Sequence, residues 1–258
     1  MIYFTGDIHG EPWDVKKFCL KMKLTAEDIV VLLGDVGVNY YRDTRDEFRK
    51  SVLAGLAPTF LCIHGNHEMR PWNVEGYHLK DWNGGKVWVQ DAYPNLLFAK
   101  DGEIFTLNGL NYIVIGGAYS VDKFYRLYRG YGWWEDEQPS DEIKTFVEKQ
   151  LKEHPIDVIL SHTCPYKYEP REMFLSFVDQ STVDAGTERW LDQIEESTDY
   201  KVWFCGHWHT DKRIDKMHFL FHSFESEDDL GISEDEKINI VAKRVLDEHR
   251  AAFEELAQ

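Results

Sequence analysis

The chain has 258 residues with 29 basic and 46 acidic side chains, a formal charge of −17. That sign repels nucleic acid backbones and anionic membranes, so neither long duplex nucleic acid nor a membrane surface is an expected partner. At 43% apolar residues the chain can bury a full α/β core, while no apolar run is long enough to cross a bilayer.

The N-terminus shows no charged and apolar leader, and the four cysteines (Cys19, Cys62, Cys164 and Cys205) form no CxxC pair. Small buried thiols in a reducing compartment are expected, and with them a cytoplasmic protein.

Ile2–Thr5 is too short for a helix and rich in β-branched and aromatic residues, so it reads as a buried strand. Gly6-Asp7-Ile8-His9-Gly10 follows it, then a helical stretch over Trp13–Lys23. The pattern repeats with a strand at Ile29–Leu33, Gly34-Asp35 and a helix over Arg45–Leu56. A third strand, Thr59–Ile63, leads into Gly65-Asn66-His67-Glu68. Alternation of this kind predicts βαβ units and parallel strands.

Residues 84–118 read differently. Val87–Val89, Leu96–Ala99, Ile104–Leu107 and Tyr112–Ile115 are short strands of a meander, with Asn108-Gly109 as a hairpin turn. Residues 119–139 form a loop dense in aromatic side chains that also carries Lys123, Arg126 and Arg129. Asp141–Glu153 is helical, Val158–Leu160 is a strand before Ser161-His162, Thr187–Glu196 is helical, and Lys201–Cys205 is a strand before Gly206-His207-Trp208-His209.

Residues 225–236 hold seven acids and resemble a solvated linker. Ser233 and Glu236 form a capping-box pattern. Ile238, Val241, Ala242, Val245, His249, Ala252, Phe253 and Leu256 follow at helical spacing. An amphipathic helix of about six turns is expected, packed on its own domain or, alternatively, on a partner. The division is therefore 1–224 as the main domain and 225–258 as an acidic lead-in with a terminal helix.

Each Asp- and His-bearing segment lies just after a predicted strand. In open α/β sheets ligands bind at the carboxyl ends of strands, so the segments converge on one edge. Carboxylate, amide and imidazole without thiolate suit Mn, Fe, Zn or Co.

The ordered set Asp7-Ile8-His9, Gly34-Asp35, Gly65-Asn66-His67-Glu68, His162 and Gly206-His207-Trp208-His209 resembles the calcineurin-like metallophosphoesterases, over roughly residues 1–222. The resemblance implies an α/β fold, a four-layer sandwich with mixed sheets flanked by helices. It implies two divalent ions, Mn first, with Fe, Zn, Ni, Co or Mg as alternatives. Asp7, His9 and His209 would hold one ion, and Asn66, His162 and His207 the other, with Asp35 between them. Ions about 3.5–4 Å apart can hold a hydroxide and polarise a phosphoryl oxygen. By the same resemblance His67 contacts phosphate and protonates the leaving oxygen, which makes His67, Asp35 and Asn66 the catalytic residues. The expected reaction is hydrolysis of a phosphomonoester or phosphodiester.

Gly6–Gly10 and Gly65–Glu68 also resemble the protein Ser/Thr phosphatase branch. That branch continues its second motif as GDxVDRG, where this chain has Val38 and Asn39 in place of Asp and Arg. A phosphoprotein phosphatase stays an alternative, with Glu68 as a substitute partner for His67 or a solvated loop acid. Lys123, Arg126 and Arg129 are the candidate substrate-binding cations, and a helical turn there would put both arginines on one face. Tyr125, Tyr128, Tyr131, Trp133 and Trp134 of the aromatic loop could stack on a base or an aryl leaving group, or else form a hydrophobic cluster or a homodimer contact. Trp208 is expected to pack beside the site. Phosphorylated small molecules, nucleotides and phosphoproteins are all open as substrates. A binding scaffold that keeps the fold without turnover is the alternative outside enzymology.

Overall fold

The computed structural model describes the backbone of residues 1–256 and the side chains of residues 1–246. The first half runs β1 (Ile2–Thr5), α1 (Trp13–Met22), β2 (Ile29–Leu32), α2 (Thr44–Ala54), β3 (Thr59–Cys62), β4 (Tyr77–Trp82), β5 (Gly85–Gln90), β6 (Leu96–Ala99), β7 (Ile104–Leu107) and β8 (Leu110–Ile115). The second runs α3 (Lys123–Arg129), α4 (Asp141–Glu153), β9 (Val158–Ser161), α5 (Gly186–Ser197), β10 (Val202–Cys205), β11 (Lys212–Ile214), β12 (Met217–Phe219), β13 (Glu225–Ser226) and α6 (Glu234–Leu256).

Strand side chains alternate between faces, and here both faces are covered. Phe4, Val31, Leu33 and Leu61 point inward to meet Tyr112, Val114, Leu160 and Phe204 of the opposing sheet. Phe4 and Phe204 stack with ring centroids 4.3 Å apart. The outward residues Val30, Leu32, Phe60 and Cys62 lie under Val15 and Cys19 of α1 and Leu53 of α2. On the far side Ile113, Ile159 and Trp203 lie under Val147 of α4 and Trp190, Leu191 and Ile194 of α5. The result is helices, sheet, sheet, helices, the four-layer α/β sandwich.

One sheet has the order β13-β1-β2-β3-β6-β5-β4 and the other β11-β12-β10-β9-β8-β7. Both are mixed. β1, β2, β3 and β6 are parallel, as are β8, β9, β10 and β12. Asn108 and Gly109, with φ of 47° and 80°, close the β7–β8 hairpin between Leu107 and Leu110.

Three readings change. The stretch 119–139 is not wholly a loop, because Lys123–Arg129 forms α3. The acidic stretch is not a solvated linker. Glu225 and Ser226 pair with Phe4 and Tyr3, Glu225 accepts from Arg213 Nε and pairs with His218 Nδ1, and Leu230 and Ile232 enter the core between the sheets. Buried partners hold its first acids in place. The third concerns α6, which forms where expected, with Ser233 Oγ accepting from Glu236 N. It seats on the domain through Ile240, which packs against the core, and Arg244, which donates to Gly109 O. Ile238 and Val245, expected on the buried stripe, are exposed. Arg244 also pairs with Asp157, so the helix face that meets the domain carries an ion pair beside Ile240. His249, Ala252, Phe253 and Leu256 of the same stripe lie outside the described side chains.

β4 alternates apolar and polar residues only over Tyr77–Lys80, too short a pattern to mark a strand from sequence. It exists as the outer partner of β5 across a tight turn.

Candidate metal centre

All five motif segments emerge at the carboxyl ends of β1, β2, β3, β9 and β10. Small residues let them close on one another. A Cβ on Gly206 would lie 2.3 Å from Asp7 Oδ1, and one on Gly65 would lie 2.1 Å from Asp35 N. The turns also carry strain. His9, Asp35, His207 and His209 have φ of 45°, 45°, 65° and 49°, the left-handed region that side chains other than glycine disfavour. Their clustering at one edge marks a functional site.

Backbone N–H groups aim the carboxylates. His207 N donates to Asp7 Oδ1 at 2.8 Å, and His67 N donates to Asp35 Oδ1 at 2.7 Å. The other oxygen of Asp7, Oδ2, is buried without a hydrogen-bond partner. It faces His209 Nε2 at 3.3 Å and His9 Nε2 at 3.8 Å, and these two ring nitrogens are 2.9 Å apart. An unpaired buried carboxylate oxygen among imidazole nitrogens is costly unless a cation joins them.

A second juxtaposition makes the same demand. His162 Nδ1 lies 2.8 Å from Leu33 O, a carbonyl that can only accept, so Nδ1 carries the proton. The other ring nitrogen, Nε2, lies 2.8 Å from Asn66 Oδ1. The Asn66 amide is held in that sense from behind. Its Nδ2 donates to Ser120 Oγ at 2.9 Å, and Ser120 Oγ donates in turn to Glu137 Oε2 at 2.5 Å. An imidazole nitrogen and an amide oxygen converging in a buried site fit a metal ion.

Ligand atoms lie within 4.8 Å of one another in each of three sets: Asp7, His9 and His209; Asp7, Asp35 and His162; and His9, Asp35 and His67. Asp7 and Asp35 each belong to two sets, which ties them into one cluster. His207 lies beside them, its ring 5.0 Å from that of His162. Burial and the neighbouring His162 push the His207 pKa down to about 3, so it offers a neutral ring. Burial pushes the Asp35 carboxyl up, but His162, His67 and His9 outweigh it and bring its pKa below the ordinary carboxylate value. The Asp7 carboxylate beside His209 raises that imidazole.

His67 sits between two recesses, partly exposed, with Nε2 3.7 Å from Asp122 Oδ1. Burial lowers its pKa, Asp35 opposes this, Arg126 adds to it and Asp122 opposes it again. Glu68 does not partner His67 and is not a solvated acid. It is fully buried and accepts from the N–H groups of Gly65, Val36 and Gly37. Burial, with Asp35 nearby, raises its pKa to about 8. Val38 and Asn39 are buried, and Asn39 pairs with the Tyr77 hydroxyl.

The three candidate cations separate. Arg126 is 2% exposed and donates to Gly132 O and Ser120 Oγ, with Nη1 3.5 Å from Asn66 O. Arg129 lies exposed by the rings of Tyr125 and Tyr131, and Lys123 lies over Trp133. The two arginines therefore do not share a face, because α3 turns Arg126 under the site. Trp208 packs beside the site, stacked on Phe174 at 5.7 Å.

Sequence reasoning missed Asp122, the Ser120–Glu137 support and Phe174. A signal for Phe174 was the length of the connection from Ser161 to Gly186, since long connections in compact domains are commonly functional. Asp122 and Glu137 carried no comparable mark.

No curated protein matches the sequence. Among solved structures, TT1561 of Thermus thermophilus is 14% identical with a TM-score of 0.49, covering 85% of this chain and 87% of that one. The phosphopantetheinyl hydrolase PptH of Mycobacterium tuberculosis is 13% identical with a TM-score of 0.39 over the same shares. The model of the calcineurin-like phosphoesterase family matches residues 1–211. With most of its length inside that match, the chain belongs to the calcineurin-like phosphoesterase family.

Proposed function

We propose that the chain hydrolyses a phosphomonoester or phosphodiester at a centre of two divalent ions, with His67 as the general acid. Family membership implies metal-dependent phosphoester hydrolysis in general. The observation that supports the two-ion form is a pair of juxtapositions within the cluster: Asp7 Oδ2 with His9 and His209, and His162 Nε2 with Asn66 Oδ1. Asp7, His9 and His209 would hold one ion, and Asn66, His162 and His207 the other, with Asp35 shared. Manganese is the first choice, since carboxylate, amide and imidazole together favour a borderline-to-hard ion. When bound, the ions supply positive charge for the phosphoryl oxygens and acidify a water molecule.

The protein's own groups do the rest. His67 gives a proton to the departing oxygen, and Asp122 steadies the imidazolium through Nε2. Burial, with Arg126, outweighs Asp35 and Asp122 and lowers the pKa of the ring, which makes the protonated form a stronger acid. Arg126 adds charge beneath Asn66, while Lys123 over Trp133 and Arg129 beside Tyr125 line neither recess against His67. The four free, buried cysteines suit a reducing, cytoplasmic compartment.

The test is hydrolysis by Mn-reconstituted protein of an aryl phosphomonoester, an aryl phosphodiester, cyclic nucleotides, dinucleoside polyphosphates and a phosphopeptide. His67→Ala should keep its metal and lose ~10²–10⁴-fold in turnover. Unchanged turnover overturns the acid role. No turnover of any ester by the wild type favours the scaffold.

A further inference from the structure

We propose that the cavity beside His67 receives the alcohol portion of the ester, and that this portion is an alkyl or aryl group without negative charge. The inference rests on the esterase reading above and adds the substrate class.

The cavity has a volume of about 350 Å³, and Asp35, Asn66, His67, His207 and His209 form its inner end. A phosphoryl group at the metal centre therefore opens directly into it. Its wall is apolar, built from Val121, Met173, Phe174, Leu175, Val178 and Val183. Phe174 and Trp208, stacked with ring planes 20° apart, add aromatic surface to that lining. Val121, Met173 and Leu175 remain 41%, 39% and 47% exposed. Folding does not bury these side chains, and a ligand there would. A small cavity with apolar walls and convergent polar groups at one end is the usual form of a ligand site.

Charge sets the second half of the inference. Beyond the candidate metal ligands and His67, the acidic residues lining the cavity are Asp122, Glu169, Asp184 and Glu188, and no lysine or arginine lines it. A second anionic group on the substrate would meet an excess of carboxylates, of which Asp122 has Arg126 Nη1 at 3.8 Å behind it and Glu169 feels the charge of Arg171 and Arg189. The other recess against His67 is different. It holds about 170 Å³ and is lined by His9, Tyr40, Tyr41 and Arg49. One flank of the site thus carries a cation and the other carries apolar wall and acids. This asymmetry points the alcohol portion toward the Phe174 side.

The experiment uses the full chain loaded with Mn. Along n-alkyl phosphates from ethyl to hexyl, which share one leaving-group reactivity, kcat/KM should rise ~4-fold for each methylene that enters the wall. 2-Naphthyl phosphate should exceed its 6-sulfonate derivative by ~10-fold or more. Leu175→Lys, a change at a half-exposed position, should narrow that gap. Titration calorimetry gives a readout independent of turnover: naphthylmethylphosphonate should bind ~10-fold or more tighter than methylphosphonate. A flat alkyl series with good turnover overturns the cavity assignment and leaves the esterase standing. Equal binding of the two phosphonates, or a sulfonate gap unchanged in Leu175→Lys, also overturns it. Absence of turnover on every ester, with the naphthyl preference intact, supports the apolar cavity and overturns the esterase reading.

Discussion

The inner end of the site and its outer wall are built on opposite principles. The inner end hangs from five parallel strand ends, its carboxylates are aimed by backbone N–H groups, and four of its residues hold left-handed backbone conformations. The wall hangs from the short turns Tyr166–Tyr168, Arg171–Met173 and Gln180–Thr182, and several of its apolar side chains stay in solvent. A sheet with both faces buried can carry the cost of strained, desolvated ligands. A segment packed on one side only has little stability to lose and can vary with the substrate. In the proposed reading, chemistry and selectivity are accordingly carried by different parts of the chain.

The strongest way to break the contrast is Asp35→Ala. It removes the acceptor of His67 N and a member of two ligand sets, so metal content by elemental analysis should fall and hydrolysis should drop by at least ~10³-fold. Retained metal and activity would separate Asp35 from the centre.

Phe4→Ala comes next. It empties the stack between the sheets and should cost about 3–5 kcal/mol in urea unfolding. A loss below about 1 kcal/mol would mean that the inner end does not depend on the sandwich beneath it.

Ser120→Ala frees the Asn66 amide to turn without emptying the core. Metal affinity by chelator competition should weaken ~10–100-fold, the range found for groups that orient ligands.

Glu188, at the junction of wall and helix, gives a smaller effect with a defined sign. Burial raises its pKa to about 7, with Thr163 Oγ1 donating to it and Glu169 and Asp184 adding negative charge nearby. In the unfolded chain it titrates near the ordinary glutamate value. Between those values the folded state binds more protons, so its contribution is full at low pH and is lost as pH rises through 7. From pH 5 to pH 8 this amounts to about 1–3 kcal/mol, and Glu188→Gln should flatten that part of the stability profile. An identical profile in the variant would show that the carboxyl is not desolvated.

The smallest effect belongs to the wall itself. Leu175→Ala should change unfolding stability by no more than about 0.5 kcal/mol, because its side chain is half in solvent before the change. A larger loss would make the wall part of the fold.

The sequence by itself determined the strand ends and the residues they carry. Short runs such as Ile2–Thr5 and Lys201–Cys205 name buried strands, and the Gly, Asp and His that follow them are local neighbours along the chain. A strand buried on both faces leaves its next residues little choice of position, so local pattern and site geometry coincide there. Tertiary structure alone decided that Asp122 faces His67, that Ser120 and Glu137 hold Asn66, that Arg126 turns inward while Arg129 stays outside, and that Phe174 meets Trp208. Most of these contacts join residues far apart in the chain, on segments without a repeating pattern. Their direction depends on how α3 and the Ser161–Gly186 connection settle on the sandwich, and no local rule of spacing or composition encodes that.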